Sequence, residues 1–305
     1  MGNRKKKTPV ERRKERQVPL REQLVSTQMQ HRYTKAVLAL LTFWSVQDLT
    51  PTCLEDFDPC ASQWVEQVYM EGEHKGLASD ALAGLVHFLS PVHGKLRHSW
   101  KLLKTWSKLE PPDRAVPFTD VLLVGFAGLC YSLQYVQAAA LLLVGFDTFM
   151  RSGELYAMQV KHVTFMRGKA VISIPDSKTT GRKNAKEMVV VQSTLANRVL
   201  QEAIARRLPG EHVYSKGPAH FRKLFSELKQ TFKISSNLTV YSLRRGGATA
   251  DFLGHGSMEM TLLRGRWAST STARIYVQDA VATIAHLALT EEQKQLSSVA
   301  AQAFA

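Results

Sequence analysis

The chain has 305 residues, of which 45% are hydrophobic, and this is enough for two domains with cores of their own. Its formal net charge of +14 favours a polyanionic partner, either nucleic acid or an anionic membrane surface. Residues 1–35 carry +8 of that charge, so any DNA surface on the remaining chain must be local.

The three cysteines, Cys53, Cys60 and Cys130, are too few and too scattered for a disulfide framework or a zinc site. The N-terminus is charged and no apolar segment follows it, so we expect no signal peptide and a protein that is not secreted. We expect a nuclear location if the host is eukaryotic, because of the basic start, and a cytoplasmic or nucleoid location otherwise.

Residues 1–25 are predicted to form a disordered basic arm, because lysines and arginines cluster there between prolines. Residues 26–112 have helical periodicity and are predicted to form a helical domain. Its first apolar stripe comprises Tyr33, Val37, Leu38, Leu40, Leu41 and Trp44. A proline-rich, charged linker over residues 108–114 predicts the domain boundary.

The second domain, residues 113–290, opens with an apolar stretch over residues 121–149. Gln134 and Gln137 interrupt it, and neither part reaches the ~18–20 residues of a membrane span. We therefore predict two buried helices, no membrane-spanning helix and no membrane partner. Apolar segments at 170–174 and 188–191 predict a hairpin joined by the polar loop 176–186. Further helices are predicted at 195–205, 219–232, 242–253, 258–264 and from 270 onward, followed by a C-terminal tail over residues 291–305. The predicted fold class is mainly α with a small antiparallel β-sheet (α+β).

Two arginines are candidate phosphate ligands. Arg151 follows the second buried helix and either pairs with Glu154 or uses its planar guanidinium to hold a phosphate. Arg244 is predicted to lie in the first turn of a helix capped by Ser242, beside free backbone amides. Gly246 and the glycine after it weaken that helix, so either another element or a DNA backbone must approach closely there.

Lys178 lies in the polar hairpin loop, where it is either a solvated charge or a general acid that enters a groove. Tyr276 follows Trp267 by nine residues on a predicted helix. It is either a half-buried core residue or a nucleophile whose phenolate is stabilised by Arg274 and the two candidate arginines.

Four strings carry a family resemblance: LLLVGFDTFMRSGEL, SIPDSKTTGRK, YSLRRGGAT and LLRGRWASTSTARIY. The first two resemble the first-arginine box and the lysine hairpin of the tyrosine recombinases and integrases, and the last two together resemble their second box. Within this family, the strings most resemble those of eukaryotic mobile-element integrases. The resemblance covers about residues 115–288. It implies a DNA breaking-rejoining catalytic domain, preceded by a helical core-binding domain that matches by pattern alone.

The resemblance also implies a role for each candidate. Arg151 and Arg244 would clamp the scissile phosphate, and Lys178 would protonate the 5′-oxygen leaving group. Trp267 stands where the family has histidine or tryptophan and would hydrogen-bond to the phosphate. Tyr276 would attack phosphorus and form a 3′-phosphotyrosyl link, with no metal, ATP or other cofactor.

Tyr241 departs from the family, which most often has histidine at that position. A tyrosine with an ordinary pKa near ~10 is a poor base at neutral pH. Activation of the nucleophile would then depend mainly on electrostatic stabilisation.

The resemblance implies double-stranded DNA as the partner, with the two domains closing around the duplex. It also implies that four copies of the chain assemble on two duplexes as a homo-tetramer. The apolar segment 281–289 would link neighbouring copies or pack into its own core. The leading hypothesis is a site-specific recombinase or integrase. The alternatives are a type IB topoisomerase, a domesticated or inactive integrase-like DNA-binding protein, and a plain helical scaffold with a basic tail.

Overall fold

A computed structural model describes residues 24–112, 114–174, 187–277, 284, 286 and 288–305. These residues form two compact units, divided between positions 113 and 114. The predicted basic arm up to residue 23, the hairpin loop with Lys178 and most of the segment 278–287 lie outside the described residues. Within the described ranges, no helix is both long and apolar enough to cross a membrane.

The first unit is helical, as its periodicity predicts. It consists of α1 (Thr27–Val46), α2 (Phe57–Met70), α3 (Lys75–Phe88) and α4 (Arg97–Leu109). Its core includes Trp44, Trp64 and Trp106, and the Trp44 indole N–H donates to the Cys60 carbonyl at 3.0 Å. Asp58 caps α4 by accepting from two of its first backbone amides, which would otherwise lack partners.

The predicted stripe on α1 is wrong at two positions, since Leu38 and Leu41 are 58% and 45% exposed. Leu40 and Trp44 are buried, and the small Ala36 completes the buried face. Each residue turns the helix by about 100°, so positions 38 and 41 point to one side of that face. They line an open apolar groove instead of the core.

The two predicted buried helices of the second unit are confirmed as α5 (Asp120–Ser132) and α6 (Val136–Thr148). Every residue from Ala138 to Val144 is at most 4% exposed, so α6 runs through the centre of this unit. An antiparallel sheet in the order β1-β2-β3 follows, formed by β1 (Val163–Met166), β2 (Lys169–Ser173) and β3 (Met188–Val190). Strands β2 and β3 form the predicted hairpin, whereas β1 was not predicted.

The predicted helices after the sheet are confirmed within a few residues, and the short helix α7 precedes it. In chain order, the short helix is α7 (Ser152–Ala157), and the helices after the sheet are α8 (Thr194–Ile204), α9 (Gly217–Thr231), α10 (Ser242–His255), α11 (Met258–Gly265) and α12 (Thr270–Tyr276). Buried residues of α7 to α10 join α6 in one core, whereas α11 and α12 pack against Phe149, Ala248 and Trp267 in a second, smaller cluster.

The segment 291–305, predicted as a tail, contains the helix α13 (Glu291–Ala301). It packs on α5 so closely that a Cβ at Gly128 would lie 2.2 Å from the Ala300 carbonyl oxygen. The Gln293 amide also donates to the carbonyls of Phe232 and Lys233. A capping box formed by Thr290 and Gln293 starts the helix, and this local signal was present in the sequence.

Close approach at Gly246 and Gly247 comes from other parts of the protein. A Cβ at Gly246 would lie 2.1 Å from the Phe118 carbonyl oxygen, and one at Gly247 would lie 1.9 Å from that of Phe146. The glycines therefore let α10 contact the backbone of α6 and of the segment before α5, and this contact fixes the start of α10.

Gly247→Ala is expected to destabilise the protein, because backbone atoms of α6 must move to admit the methyl group. The expected loss is about 1–3 kcal/mol, measured by thermal or denaturant unfolding. Gly254→Ala is the matched control on the same helix, since nothing lies within 4 Å of its Cβ position. That control should be neutral or stabilising, because alanine favours a helix. Equal effects of the two substitutions would contradict the packing role of Gly247.

Candidate active site

Four of the predicted site residues lie together where α10 begins and α12 ends. Tyr241 precedes α10, Arg244 lies in its first turn, Trp267 lies between α11 and α12, and Tyr276 ends α12. The Trp267 and Tyr276 ring centroids are 4.7 Å apart, and those of Tyr241 and Tyr276 are 5.9 Å apart.

The predicted cap of α10 is wrong. Ser242 is the first residue of the helix, and its hydroxyl accepts from the Thr239 amide at 3.0 Å, within the preceding turn. Tyr241 takes the cap position without using its side chain as a cap. The phenol of Tyr241 therefore remains available to Tyr276.

Arg244 is the most deeply placed charge of the cluster, with 1% exposure. Its guanidinium donates to the carbonyls of Phe149 and Gly265, which uses two of its five N–H groups. The Cζ atom lies 4.8 Å from the Trp267 ring centroid and 5.1 Å from that of Tyr276. Burial lowers the pKa of Arg244 to about 10, and the positive charges of Arg151 and Arg266 act in the same direction.

Local backbone geometry brings Trp267 onto this arginine. A Cβ at Gly265 would lie 1.9 Å from the Trp267 ring, so only glycine leaves room for it. Arg266 then has a φ of 57°, in the left-handed region, and this turn ends α11. The turn therefore requires glycine at position 265 to admit the Trp267 ring.

The Tyr276 hydroxyl lies 2.5 Å from the Tyr241 hydroxyl. Burial alone would raise the pKa of Tyr276. The hydrogen bond with Tyr241 and the charges of Arg244 and Arg151 outweigh burial, so this pKa lies below its usual value. For Tyr241, burial and the interaction with Tyr276 raise the pKa to about 12. Tyr241 therefore keeps its proton at neutral pH even more fully than an isolated tyrosine does, and it is less available as a general base.

The positive charge of Arg151 acts on Arg244 and Tyr276. Arg151 also forms the ion pair with Glu154 that the sequence offered as its alternative role. Its guanidinium lies 2.7 Å from Glu154, and its side chain is 37% exposed. Glu154 is buried and also pairs with Arg266 at 2.8 Å, while Arg266 pairs with Glu187 at 3.0 Å. This chain of ion pairs holds Arg151 at the N-terminus of α7, with part of its side chain open to solvent.

Sequence reasoning missed Glu154 and Arg266 as parts of the site. Burial would raise the pKa of Glu154, but its bonds to Arg266 and Arg151 keep it below the usual value. The only sequence signal was their position inside the two arginine boxes. A second unpredicted network lies behind the site, where Arg264 pairs with Asp251 and Asp147 and lies over the Phe149 ring.

Among the buried donors of the site that have no acceptor in the described residues are the Arg244 Nε–H and the Trp267 indole N–H. An unpaired buried donor costs free energy, so each is suited to an acceptor that arrives with a ligand. A phosphate oxygen is such an acceptor. The structure thus brings together Arg151, Tyr241, Arg244, Trp267 and Tyr276, whereas Lys178 lies outside the described residues.

No protein-family profile matches the sequence, and no curated protein matches it. Several solved structures have a similar fold. The Tn1549 transposon integrase in complex with transposon right-end DNA has 12% identity and a TM-score of 0.60, covering 92% of this chain and 98% of its own. The XerH recombinase bound to a palindromic difH substrate has 15% identity and a TM-score of 0.58, and the match covers 81% of this chain and 75% of XerH. A lambda integrase dimer bound to a COC′ core site has 15% identity and a TM-score of 0.57, covering 88% and 94%. The chain has the fold of the tyrosine recombinases and integrases.

Proposed function

We propose that this chain is a site-specific DNA recombinase or integrase that cuts and rejoins duplex DNA through a 3′-phosphotyrosyl intermediate at Tyr276. The observation that carries the proposal is the contact cluster of Tyr276, Arg244 and Trp267 in a chain with this fold. A half-buried tyrosine with a lowered pKa beside a buried arginine is suited to attack a phosphodiester.

The proposed reaction is a transesterification at phosphorus. The Tyr276 oxygen forms a bond to phosphorus, the bond to the 5′-oxygen breaks, and Lys178 gives that oxygen its proton. Arg151 and Arg244 offset the charge that builds up on the non-bridging oxygens. Trp267 offers its indole N–H to one of them. Because the Tyr276 ring lies over the Arg244 guanidinium, direct contact between Arg244 and phosphate requires this ring to shift.

We further propose that residues 26–112 form a DNA core-binding domain, with α4 as one of its DNA surfaces. Leu103 and Trp106 bury one face of this helix. The opposite face carries exposed cations at helical spacing, none of which forms an ion pair with a described residue: Arg97, Lys101, Lys104 and Lys108. Such a row suits the phosphates along one strand of DNA.

Replacing Lys101 and Lys104 together by glutamine is expected to weaken DNA binding and make it less dependent on salt. Each phosphate contact contributes about 0.9 to the slope of log K against log salt, so the slope should fall by about 2. Titrations of duplex DNA at several salt concentrations measure this. Lys35→Gln with Lys95→Gln is the control, since it removes the same charge from exposed positions outside α4, although Lys95 also pairs with Glu55. A fall of the same size in that control would contradict a DNA surface on α4.

We also propose that four copies assemble on two duplexes. Exchanging both strands of two duplexes requires four cleavages, and each copy offers one Tyr276. The lambda integrase structure above, a dimer on its core site, supports assembly of several copies on DNA.

The test of the proposed function is a covalent adduct with nicked DNA. Because the target sequence is unknown, the full chain is incubated with a pool of duplexes that carry a randomised segment and a nick within it. The nick lets the short 5′-hydroxyl fragment diffuse away, so the intermediate cannot be reversed. We expect a protein–DNA species that survives denaturation, with the DNA attached at Tyr276. Salt-dependent binding without any adduct across the pool would favour the integrase-like DNA-binding alternative instead.

A further inference from the structure

The hydroxyls of Tyr241 and Tyr276 lie within hydrogen-bonding distance of each other, so one of them donates to the other. Their oxygens are 2.5 Å apart, whereas neutral hydroxyl pairs usually lie near 2.7–2.8 Å and pairs with one ionised oxygen near 2.5–2.7 Å. The rings are tilted by 54°, so the two phenols meet mainly at their hydroxyl ends. Which oxygen accepts depends on which phenol the surrounding charges ionise more easily.

The surroundings place the negative charge on Tyr276. Arg244 lies over its ring, and the charge of Arg151 reaches it from the start of α7. Arg245 follows Arg244 on α10 and acts on both tyrosines. The opposite shifts of the two phenols agree with this assignment, since the pKa of Tyr276 is lowered and that of Tyr241 is raised to about 12. Ionisation of one phenol suppresses that of its neighbour.

We propose that Tyr241 is a positioning residue, a permanently neutral hydrogen-bond donor that holds the Tyr276 oxygen as the phenolate nucleophile. That Tyr276 is a nucleophile rests on the proposed function, whereas the hydrogen bond from Tyr241 to Tyr276 does not. Tyr276 loses its proton to solvent before attack, and Tyr241 keeps its own proton throughout. When the Tyr276 oxygen bonds to phosphorus, its charge passes to the phosphate oxygens, and the leaving 5′-oxygen takes a proton from the general acid.

The first test needs no DNA. The eight tyrosines of the full chain are labelled with ¹³C at Cζ, whose chemical shift reports ionisation, and titrated by NMR. The resonance that is missing in Tyr276→Phe identifies the nucleophile. We expect Tyr241→Phe, which keeps the ring, to raise the titration midpoint of this resonance by about one to two pH units. An unchanged midpoint in a folded Tyr241→Phe variant would overturn the proposal.

The second test is the pH profile of adduct formation on nicked DNA. In Tyr241→Phe the profile should move to higher pH by the same amount, so the rate falls about 10–100-fold near neutral pH and approaches the wild-type rate at high pH. Loss of rate by one factor at every pH would indicate a structural role and overturn the proposal. Tyr241→His should also be slow, because the shorter imidazole falls short of the Tyr276 oxygen; a faster enzyme would show that a base is wanted there.

The two tests separate failure of this inference from failure of the proposed function. If the NMR midpoint shifts in Tyr241→Phe but no variant forms an adduct, the hydrogen bond stands and the recombinase proposal is wrong. If the wild type forms the adduct at Tyr276 but the midpoint does not shift, the recombinase proposal stands and the role of Tyr241 is wrong.

Discussion

Tyr276→Phe is expected to abolish the covalent protein–DNA adduct completely, because it removes the one oxygen that would bond to phosphorus. Affinity for DNA should change little, since the ring and its contacts with Arg244 and Trp267 remain. Stability should change by about 1 kcal/mol, the usual net contribution of one hydrogen bond. Denaturing gels measure the adduct, DNA titrations the affinity, and thermal unfolding the stability.

Tyr241→Phe is the matched control, because it breaks the same hydroxyl–hydroxyl bond from the other side. It should form the adduct slowly, whereas Tyr276→Phe should form none at any pH. An adduct of undiminished yield in Tyr276→Phe would mean that another residue is the nucleophile. Mapping of the DNA-linked peptide would then identify it.

Local signals in the sequence predicted most of the fold. An apolar stretch interrupted by Gln134 and Gln137 located α5 and α6, and two apolar segments around a polar loop located β2 and β3. The strand β1 was missed because its four residues, Val163–Met166, are only partly buried and leave a weak apolar pattern. The helix α13 was missed because its buried face uses polar or small residues, among them Gln293 and Ser297.

The proximity of five candidate residues was predictable from the sequence, whereas the connections between them were not. The resemblance of the boxes named Arg151, Tyr241, Arg244, Trp267 and Tyr276, and the fold brings these side chains together. No local pattern specifies that an arginine in one box pairs with a glutamate in the other, because positions 154 and 266 are far apart in sequence. The bond between the two tyrosines likewise depends on where α12 ends relative to α10.

Packing also settled the alternatives at the glycines. The sequence left open whether another element or a DNA backbone approaches Gly246 and Gly247. Carbonyl oxygens of Phe118 and Phe146 occupy those places, so the glycines shape the protein itself. Only the folded chain could distinguish these two causes, since both require the same missing side chain.

Arg244→Ala is the second substitution with a large expected effect. The substitution removes a buried positive charge that lies under the Tyr276 ring, and this charge helps to hold the pKa of Tyr276 below its usual value. Loss of one such preorganised group costs about 10²–10³-fold in rate, so we expect at least this loss in single-turnover adduct formation. The protein should also lose stability, since the carbonyls of Phe149 and Gly265 lose their partner in a buried place.

Arg244→Lys and Arg264→Lys separate these two effects. Arg244→Lys keeps a positive charge but loses the planar fork, so its rate should lie between those of the wild type and Arg244→Ala. Arg264→Lys disturbs a half-buried arginine that, like the buried Arg244, contacts Phe149, but Arg264 pairs with Asp251 and Asp147 instead of facing Tyr276. It should lower the unfolding temperature while leaving the rate per folded molecule within about threefold, since its charge is kept and it is not in contact with the reacting oxygen. If Arg264→Lys slows the reaction as much as Arg244→Ala does, the loss of rate reflects the fold near Phe149, and a direct electrostatic role for Arg244 is wrong.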